Sequence, residues 1–241
     1  MSEEIPDAVI VHDPNEAVKI VGTEKTVVSF YADGAPMNFT PLLDDCFSFP
    51  VTAFSVDNVL TAEECEEWIR LSEAKGYEQA LINVGNGEQE LDFHTRNCMR
   101  AMVDDQVLAA KLFARLESVL NIDGRNAVRL NERLRFLRYD QGDYFRAHID
   151  GTHYGKDETI SLLTIQLYLN DGFKGGETLF LSDGAAIPWK LAYVPKRGSA
   201  LIFDQELLHE GLCVLEGRKY TVRTDVLFEP TEEERAAIAE D

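Results

Sequence analysis

His148 and Asp150 stand two residues apart, and His209 follows about sixty residues later. A chain that brings these three side chains to one point has few ways to do it. Residues two apart on a strand point to the same face. A strand through this stretch would present His148 and Asp150 together and turn Ile149 to pack on the opposite face, and Gly151 would let the chain turn away. Two imidazoles and one carboxylate form the ligand set that holds a non-haem ferrous ion on one face and leaves the opposite positions open. A lone His-x-Asp is common by chance, so the specificity rests on the second half of the pattern.

That half begins with Pro195-Lys196-Arg197-Gly198, a turn, followed by Ala200-Leu201-Ile202-Phe203, an apolar run that fits a buried strand. His209 opens the next segment. Gly217 breaks the chain before a last strand rich in β-branched and aromatic residues. On that strand Lys219, Thr221, Arg223 and Asp225 share one face. Four polar side chains turned toward a core imply a cavity that binds an anion; a solvated edge strand is the plainer alternative. Arg135, Leu137 and Tyr139 share a face in the same way. Arg135 would then meet a substrate carboxylate or carbonyl, or else pair with one of the many acids.

The chain resembles the Fe(II)/2-oxoglutarate-dependent dioxygenases, and within them the prolyl 4-hydroxylase-like branch. The stretch Arg138-Tyr139-Asp140-x-Gly142-x-x-Phe145-x-x-His148-x-Asp150 is similar to that branch's first metal motif. Leu167-Tyr168-Leu169-Asn170, followed by Gly175-Gly176-Glu177-Thr178-Leu179-Phe180, resembles a second signature. Pro195 to Phe203, with His209 and Lys219 ten apart, resembles the distal histidine and the 2-oxoglutarate anchor. The match runs in order through residues 128–229; before it, only His94-Thr95-Arg96-Asn97 and the helix beyond carry a faint likeness.

The resemblance implies that His148, Asp150 and His209 ligate iron and carry the catalysis. It implies that Lys219 pairs with the far carboxylate of 2-oxoglutarate, while Tyr168 and Tyr139 line the cosubstrate pocket. Arg223 shares the face of Lys219, and an arginine serves as anchor in many relatives, so both remain candidates. A buried carboxylate without a partner is costly, and a charge-assisted bond from Lys219 would offset about 1.5–3 kcal/mol of that. The implied reaction consumes O2 and 2-oxoglutarate, releases succinate and CO2, and hydroxylates an unactivated C–H bond, with ascorbate as an accessory reductant. The branch points to a prolyl residue in a protein or peptide. Two alternatives stay open: a free amino acid or other small metabolite as substrate, and a non-catalytic jelly-roll module that binds metal or 2-oxoglutarate. Zinc would suit the same three ligands, but Lys219 and the Gly-Gly-Glu-Thr stretch favour iron. Arg96, Arg135 and His153 are the candidate substrate contacts.

The 241 residues carry 43 acidic and 23 basic side chains, a net charge of −20. That balance argues against nucleic acid or an anionic membrane as a partner, since both need clustered Lys and Arg; it leaves the oligomeric state open. Cys46, Cys65, Cys98 and Cys213 show no paired spacing. The N-terminus lacks a basic region followed by an apolar stretch, and no apolar run approaches a membrane span. An intracellular, cytoplasmic location is the expectation.

The order of elements predicts an α+β fold, a double-stranded β-helix (jelly-roll) barrel braced by N-terminal helices. One domain is expected: N-terminal strands and helices over 1–127, the catalytic core over 128–229 and an acidic tail over 230–241. Val18 to Phe30 fits one or two strands, and Asp33-Gly34-Ala35-Pro36 marks a turn. Thr61-Ala62-Glu63-Glu64 is a helix start, predicting a helix to about Lys75 ended by Gly76, with Cys65, Trp68, Ile69 and Ser72 on one stripe. Ala80 to Val84 fits a short strand before the turn Gly85-Asn86-Gly87. Asp104-Asp105-Gln106 opens a second helix through Leu120, with Leu108, Leu112, Leu116 and Leu120 at helical spacing. Strands are expected from about Ala127 onward.

Overall fold

The last strand, Lys219–Phe228, sets Lys219, Thr221, Arg223 and Asp225 on one face and lies in the middle of a ten-stranded antiparallel sheet. The computed structural model describes residues 29–32, 35–41, 52–85, 88–122, 124–181 and 190–240. Across the large sheet the strands run Ser29–Ala32, Ala35–Pro41, Ala53–Val56, Ala200–Asp204, Ile160–Tyr168, Lys219–Phe228, Arg133–Tyr139, Met99–Asp104 and Glu78–Gln79. A short strand, Arg129–Leu130, also pairs with Lys219–Phe228. The second sheet has four strands in the order Phe145–His148, His209–Gly211, Thr178–Leu181 and Lys190–Tyr193.

The two sheets face each other. Tyr168, Leu201 and Phe203 of the large sheet pack with Phe180, Leu191 and Tyr193 of the small one. This is the expected jelly roll, with polar residues gathered at one end of the interior.

Helix α1 (Ala62–Lys75) follows the expected bounds. Thr61 Oγ1 accepts from Glu64 N, and Glu64 Oε2 accepts from Thr61 N, which satisfies two of the first turn's unpaired donors. Cys65, Trp68 and Ser72 are buried, and the Trp68 ring lies 6.0 Å from that of Phe136 on the large sheet. Helix α2 (Gln106–Leu116) is capped by Asp105 and buries Ala109, Leu112 and Leu116. The same Glu64 that caps α1 also takes a two-pronged bond from Arg115 of α2 at 2.7 and 2.8 Å, tying the helices together. Both helices cover the outer face of the large sheet.

Several expectations need correction. Helix α2 ends at Leu116 and tightens into a single 3-10 turn, Glu117–Val119, so Leu120 lies beyond it, although buried. The short strand is Ile82–Gly85 and excludes Ala80 and Leu81; it pairs with Glu88–Glu90 across residues 86 and 87, which lie outside the described residues. Strands ahead of Ala127 also fall where none was expected. Met99–Asp104 pairs with Arg133–Tyr139, and Ala53–Val56 pairs with Ala200–Asp204. The expected strands over Val18 to Phe30 lie outside the described residues except for the last two, which open Ser29–Ala32. Of the expected turn, Asp33 and Gly34 are outside them, and Ala35 and Pro36 belong to the next strand. The acidic C-terminal segment forms a helix, α3 (Glu232–Glu240), with Glu234 held by Arg125 at 3.1 Å. No helix among the described residues is long and apolar enough to cross a membrane.

Candidate metal and anion site

Strand register brings the site together. In the small sheet His148 pairs with His209, so both imidazoles rise from adjacent strands on one face. Asp150 lies just past the end of its strand, where its N–H donates to Gln205 O at 2.9 Å. The facing rows of the large sheet set Tyr139 opposite Lys219, Leu137 opposite Thr221 and Arg135 opposite Arg223. Ile149 does not pack as expected: it is 60% exposed. It lies just past the end of the outermost strand of the small sheet, and its side opens to solvent.

One ligand atom from each of His148, Asp150 and His209 falls within 4.8 Å of the others. Each histidine Nε2 lies 3.8 Å from an Asp150 carboxylate oxygen, too long for a hydrogen bond and suited to sharing an ion. Each Nδ1 lies against a backbone carbonyl, His148 on Arg146 O at 2.7 Å and His209 on Leu207 O at 2.8 Å. A carbonyl can only accept, so Nδ1 carries the hydrogen and Nε2 keeps its lone pair for a metal. Burial favours the neutral imidazole, pushing His148 down to about 3 and lowering His209 as well. Burial alone would raise the Asp150 pKa. Arg223, His209 and His148 outweigh it and hold the carboxyl well below its usual range. Two neutral imidazoles, one ionised carboxylate and fixed Nδ1 partners fit a divalent metal.

The Asp150 carboxylate is itself oriented. Thr164 Oγ1 donates to Oδ2 at 2.6 Å, and Arg223 Nη2 approaches Oδ1 at 3.0 Å. Arg223 also reaches Asp225 Oδ1 at 3.4 Å, while Arg135 Nη1 donates to Asp225 Oδ2 at 2.9 Å. The two arginines directly opposite each other across the strands would repel, and Asp225 between them offsets that. Nothing in the sequence alone marked Thr164. It emerges only because its strand pairs in register with Lys219–Phe228, where it faces Asp225.

Lys219 lies deeper. It is 1% exposed, its Nζ donates to Gly176 O at 2.6 Å, and the Tyr139 ring centre is 4.9 Å away. Among the described residues no carboxylate comes within ion-pair distance of Nζ. Burial lowers its pKa to about 8, which Cys98 and Glu177 only partly counter. A buried ammonium whose one hydrogen-bond partner is a carbonyl suits an anionic ligand. The paired glycines make room for it: a Cβ on Gly176 would sit 3.2 Å from Lys219 Cδ, and one on Gly175 would meet Cys213 O at 2.3 Å.

A cavity of about 50 Å³ opens onto the three ligands. Arg96, Arg135, Tyr139, Thr178 and Arg223 help to line it. Neither Lys219 nor Tyr168 lines it; Tyr168 is fully buried, with its hydroxyl 2.7 Å from that of Thr178 and its ring centre 5.5 Å from Lys219 Nζ. His153 lines a separate groove of about 930 Å³ between α2 and the segment 153–157, away from the three ligands. Arg135 borders both spaces.

A family model described as the 2OG-Fe(II) oxygenase superfamily matches residues 134–224. The chain is 24% identical over 221 residues to probable prolyl 4-hydroxylase 7 of Arabidopsis thaliana, covering 81% of this chain and 69% of that one. It is 28% identical over 199 residues to prolyl 4-hydroxylase 2 of the same plant, covering 70% of this chain and 64% of that protein, less than two thirds of its length. Among solved structures, a Trichoplax adhaerens prolyl hydroxylase in complex with a hypoxia inducible factor peptide fragment superposes with a TM-score of 0.56 at 16% identity, over 77% of this chain and 86% of that one. A Pseudomonas putida prolyl-4-hydroxylase gives 0.51 at 18% identity, over 72% and 91%. At these identities the structural likenesses establish the fold.

Proposed function

Because the chain belongs to the 2OG-Fe(II) oxygenase superfamily, in its prolyl 4-hydroxylase-like branch, we propose that it hydroxylates a prolyl residue of a protein or peptide. The observation that carries this reading is the convergence of His148, Asp150 and His209 beside a buried Lys219. When bound, ferrous iron with 2-oxoglutarate and O2 supplies the oxidising power, placing one oxygen atom in a substrate C–H bond and the other in succinate, with loss of CO2.

The protein's own groups do the rest. Backbone carbonyls hold both imidazoles by their Nδ1–H, which aims Nε2 at the metal. Thr164 and Arg223 fix the tilt of the Asp150 carboxylate. Lys219 pairs with the far carboxylate of 2-oxoglutarate, and Tyr139 walls that pocket. Arg223 is the weaker candidate for that anchor, because Asp150 and Asp225 already engage it. Burial keeps water out, so the Lys219 contact acts at low dielectric, where it is strongest. No side-chain acid or base is required.

Support for a peptide comes from the rim. The strand Ile82–Gly85 lies close to the ligand loop, where a Cβ on Gly151 would be 3.9 Å from Asn83 Nδ2. Val84, Leu91, Phe93 and Ile149 are exposed in the segments next to this contact, single apolar side chains available to an incoming chain. The test is mass spectrometry on proline-containing peptide libraries incubated with the protein, Fe(II), ascorbate and 2-oxoglutarate. A peptide that gains one oxygen atom, with matching succinate, supports the proposal. An intact metal site with no peptide product overturns it.

A further inference from the structure

Three arginines line the cavity above the ligands, and two of them are already neutralised. Arg135 is paired with Asp225, and Arg223 with Asp150 and Asp225. Arg96 differs. Among the described residues no carboxylate lies within 4.0 Å of its guanidinium. Its Nε donates to Cys98 Sγ at 3.1 Å, and its Nη1 makes only a long bond, 3.4 Å, to Leu81 O. Its Nη2 has no hydrogen-bond partner among the described residues.

The head group is nevertheless held in place. The Arg96 Cζ lies 4.4 Å above the Phe145 ring, and that ring stacks on His148 at 3.5 Å between centroids. The guanidinium is therefore one aromatic ring away from a candidate metal ligand. The backbone is fixed as well. Asp92 accepts from His94 N and from the Thr95 hydroxyl, Asn97 Oδ1 accepts from Tyr144 N, and Arg96 bridges to Phe145. A rigid, half-buried guanidinium with no carboxylate in direct contact keeps hydrogen-bonding capacity for an arriving anion. The free Nη2, beside an Nη1 held only by the long bond to Leu81 O, leaves donors in the planar geometry that matches a carboxylate.

We infer that Arg96 is a specificity-determining residue that receives a carboxylate of the substrate, close to the carbon that reacts. This rests on the proposed hydroxylase reading, in which Lys219 takes the far carboxylate of 2-oxoglutarate and so leaves Arg96 for the second substrate. The carboxylate belongs either to a substrate's own terminus or to an acidic side chain beside the reacting residue. The recognition chemistry is the same in both cases.

Three probes separate these sources: N-acetyl-L-proline, capped acetyl-Glu-Pro-amide, and the neutral N-acetyl-L-prolinamide. Binding of each to the Mn(II)- and 2-oxoglutarate-loaded protein is measured by calorimetry, alongside binding of 2-oxoglutarate itself. At least one acidic probe should bind about tenfold or more tightly than the neutral one, the range for a hydrogen bond to a charged group. N-acetyl-L-proline as the winner identifies a terminal carboxylate; the Glu-Pro probe identifies a side chain. Arg96→Met should erase the preference, and Arg96→Lys should restore part of it, with 2-oxoglutarate affinity near wild type in both. Equal binding or no binding of all three probes overturns the inference. So does a preference that survives in Arg96→Met, or a substitution that chiefly weakens 2-oxoglutarate. Failure of the wild-type protein to bind 2-oxoglutarate with the metal would instead overturn the hydroxylase reading beneath it.

Discussion

The metal end of the site, which borders the cavity, and the anion end, where Lys219 lies buried behind it, are built differently. The metal end rests on the four-stranded sheet, on short strands, with Asp150 past a strand terminus. Its histidine nearest the mouth, His148, keeps 18% of its side chain exposed. The anion end rests on the central strand of the large sheet, and Lys219 is 1% exposed. The difference fits two tasks. A metal that must receive several partners needs an approach from outside. A cation that must pair with a dianion gains most when water is excluded.

Breaking the metal end should have the largest effect. His209→Ala is expected to reduce 2-oxoglutarate-dependent succinate formation at least ~1000-fold, with Mn(II) affinity falling in calorimetry, because one of three ligands is gone. Near-normal turnover would show that the three groups do not share an ion.

Breaking the anion end should spare the metal. Lys219→Ala should weaken 2-oxoglutarate about 10–100-fold, as expected for loss of a buried charge-assisted bond, while leaving Mn(II) binding close to wild type. Arg223→Met should weaken 2-oxoglutarate less. The reverse ranking would move the anchor to Arg223.

A subtler probe is Thr164→Val, which keeps the shape but removes the donor to Asp150 Oδ2. Support groups of this kind typically contribute about tenfold or more to metal affinity. Calorimetry with Mn(II) measures it, and an unchanged affinity would mean that Arg223 alone orients the carboxylate.

The most gradual effect is a pH profile, small at neutral pH. Only the ammonium form of Lys219 pairs with a carboxylate, and burial brings its pKa down to about 8. The affinity of 2-oxoglutarate should be flat below that pH and weaken by up to tenfold per unit as pH rises through it. Lys219→Arg should flatten the upper limb, since arginine keeps its proton throughout. A flat wild-type profile to pH 10 would break the contrast between the two ends.

Local spacing made much of this legible in the sequence. The Thr61–Glu64 box fixes a helix start by contacts three residues apart, and α1 follows it to Lys75. The alternation on Lys219–Phe228 correctly turns four polar residues inward. Features set by distant partners were not legible. Met99–Asp104 mixes charged and apolar residues, and becomes a strand because Arg133–Tyr139 lies beside it. Ile149 has the right alternation, but it lies just past the end of an outermost strand, and its side opens to solvent. The engagement of Arg223 by Asp150 joins residues 73 positions apart and depends on how two sheets face each other.

The account stands on one ion and one keto diacid shared between the two ends. The direct measurement is anaerobic titration of 2-oxoglutarate into the Fe(II)-loaded protein, wild type against Lys219→Ala, followed by visible absorption and calorimetry. One saturable site that requires the metal and is weakened about 10–100-fold by the substitution is the predicted result. Binding that ignores the metal, or that Lys219→Ala leaves unchanged, would contradict it.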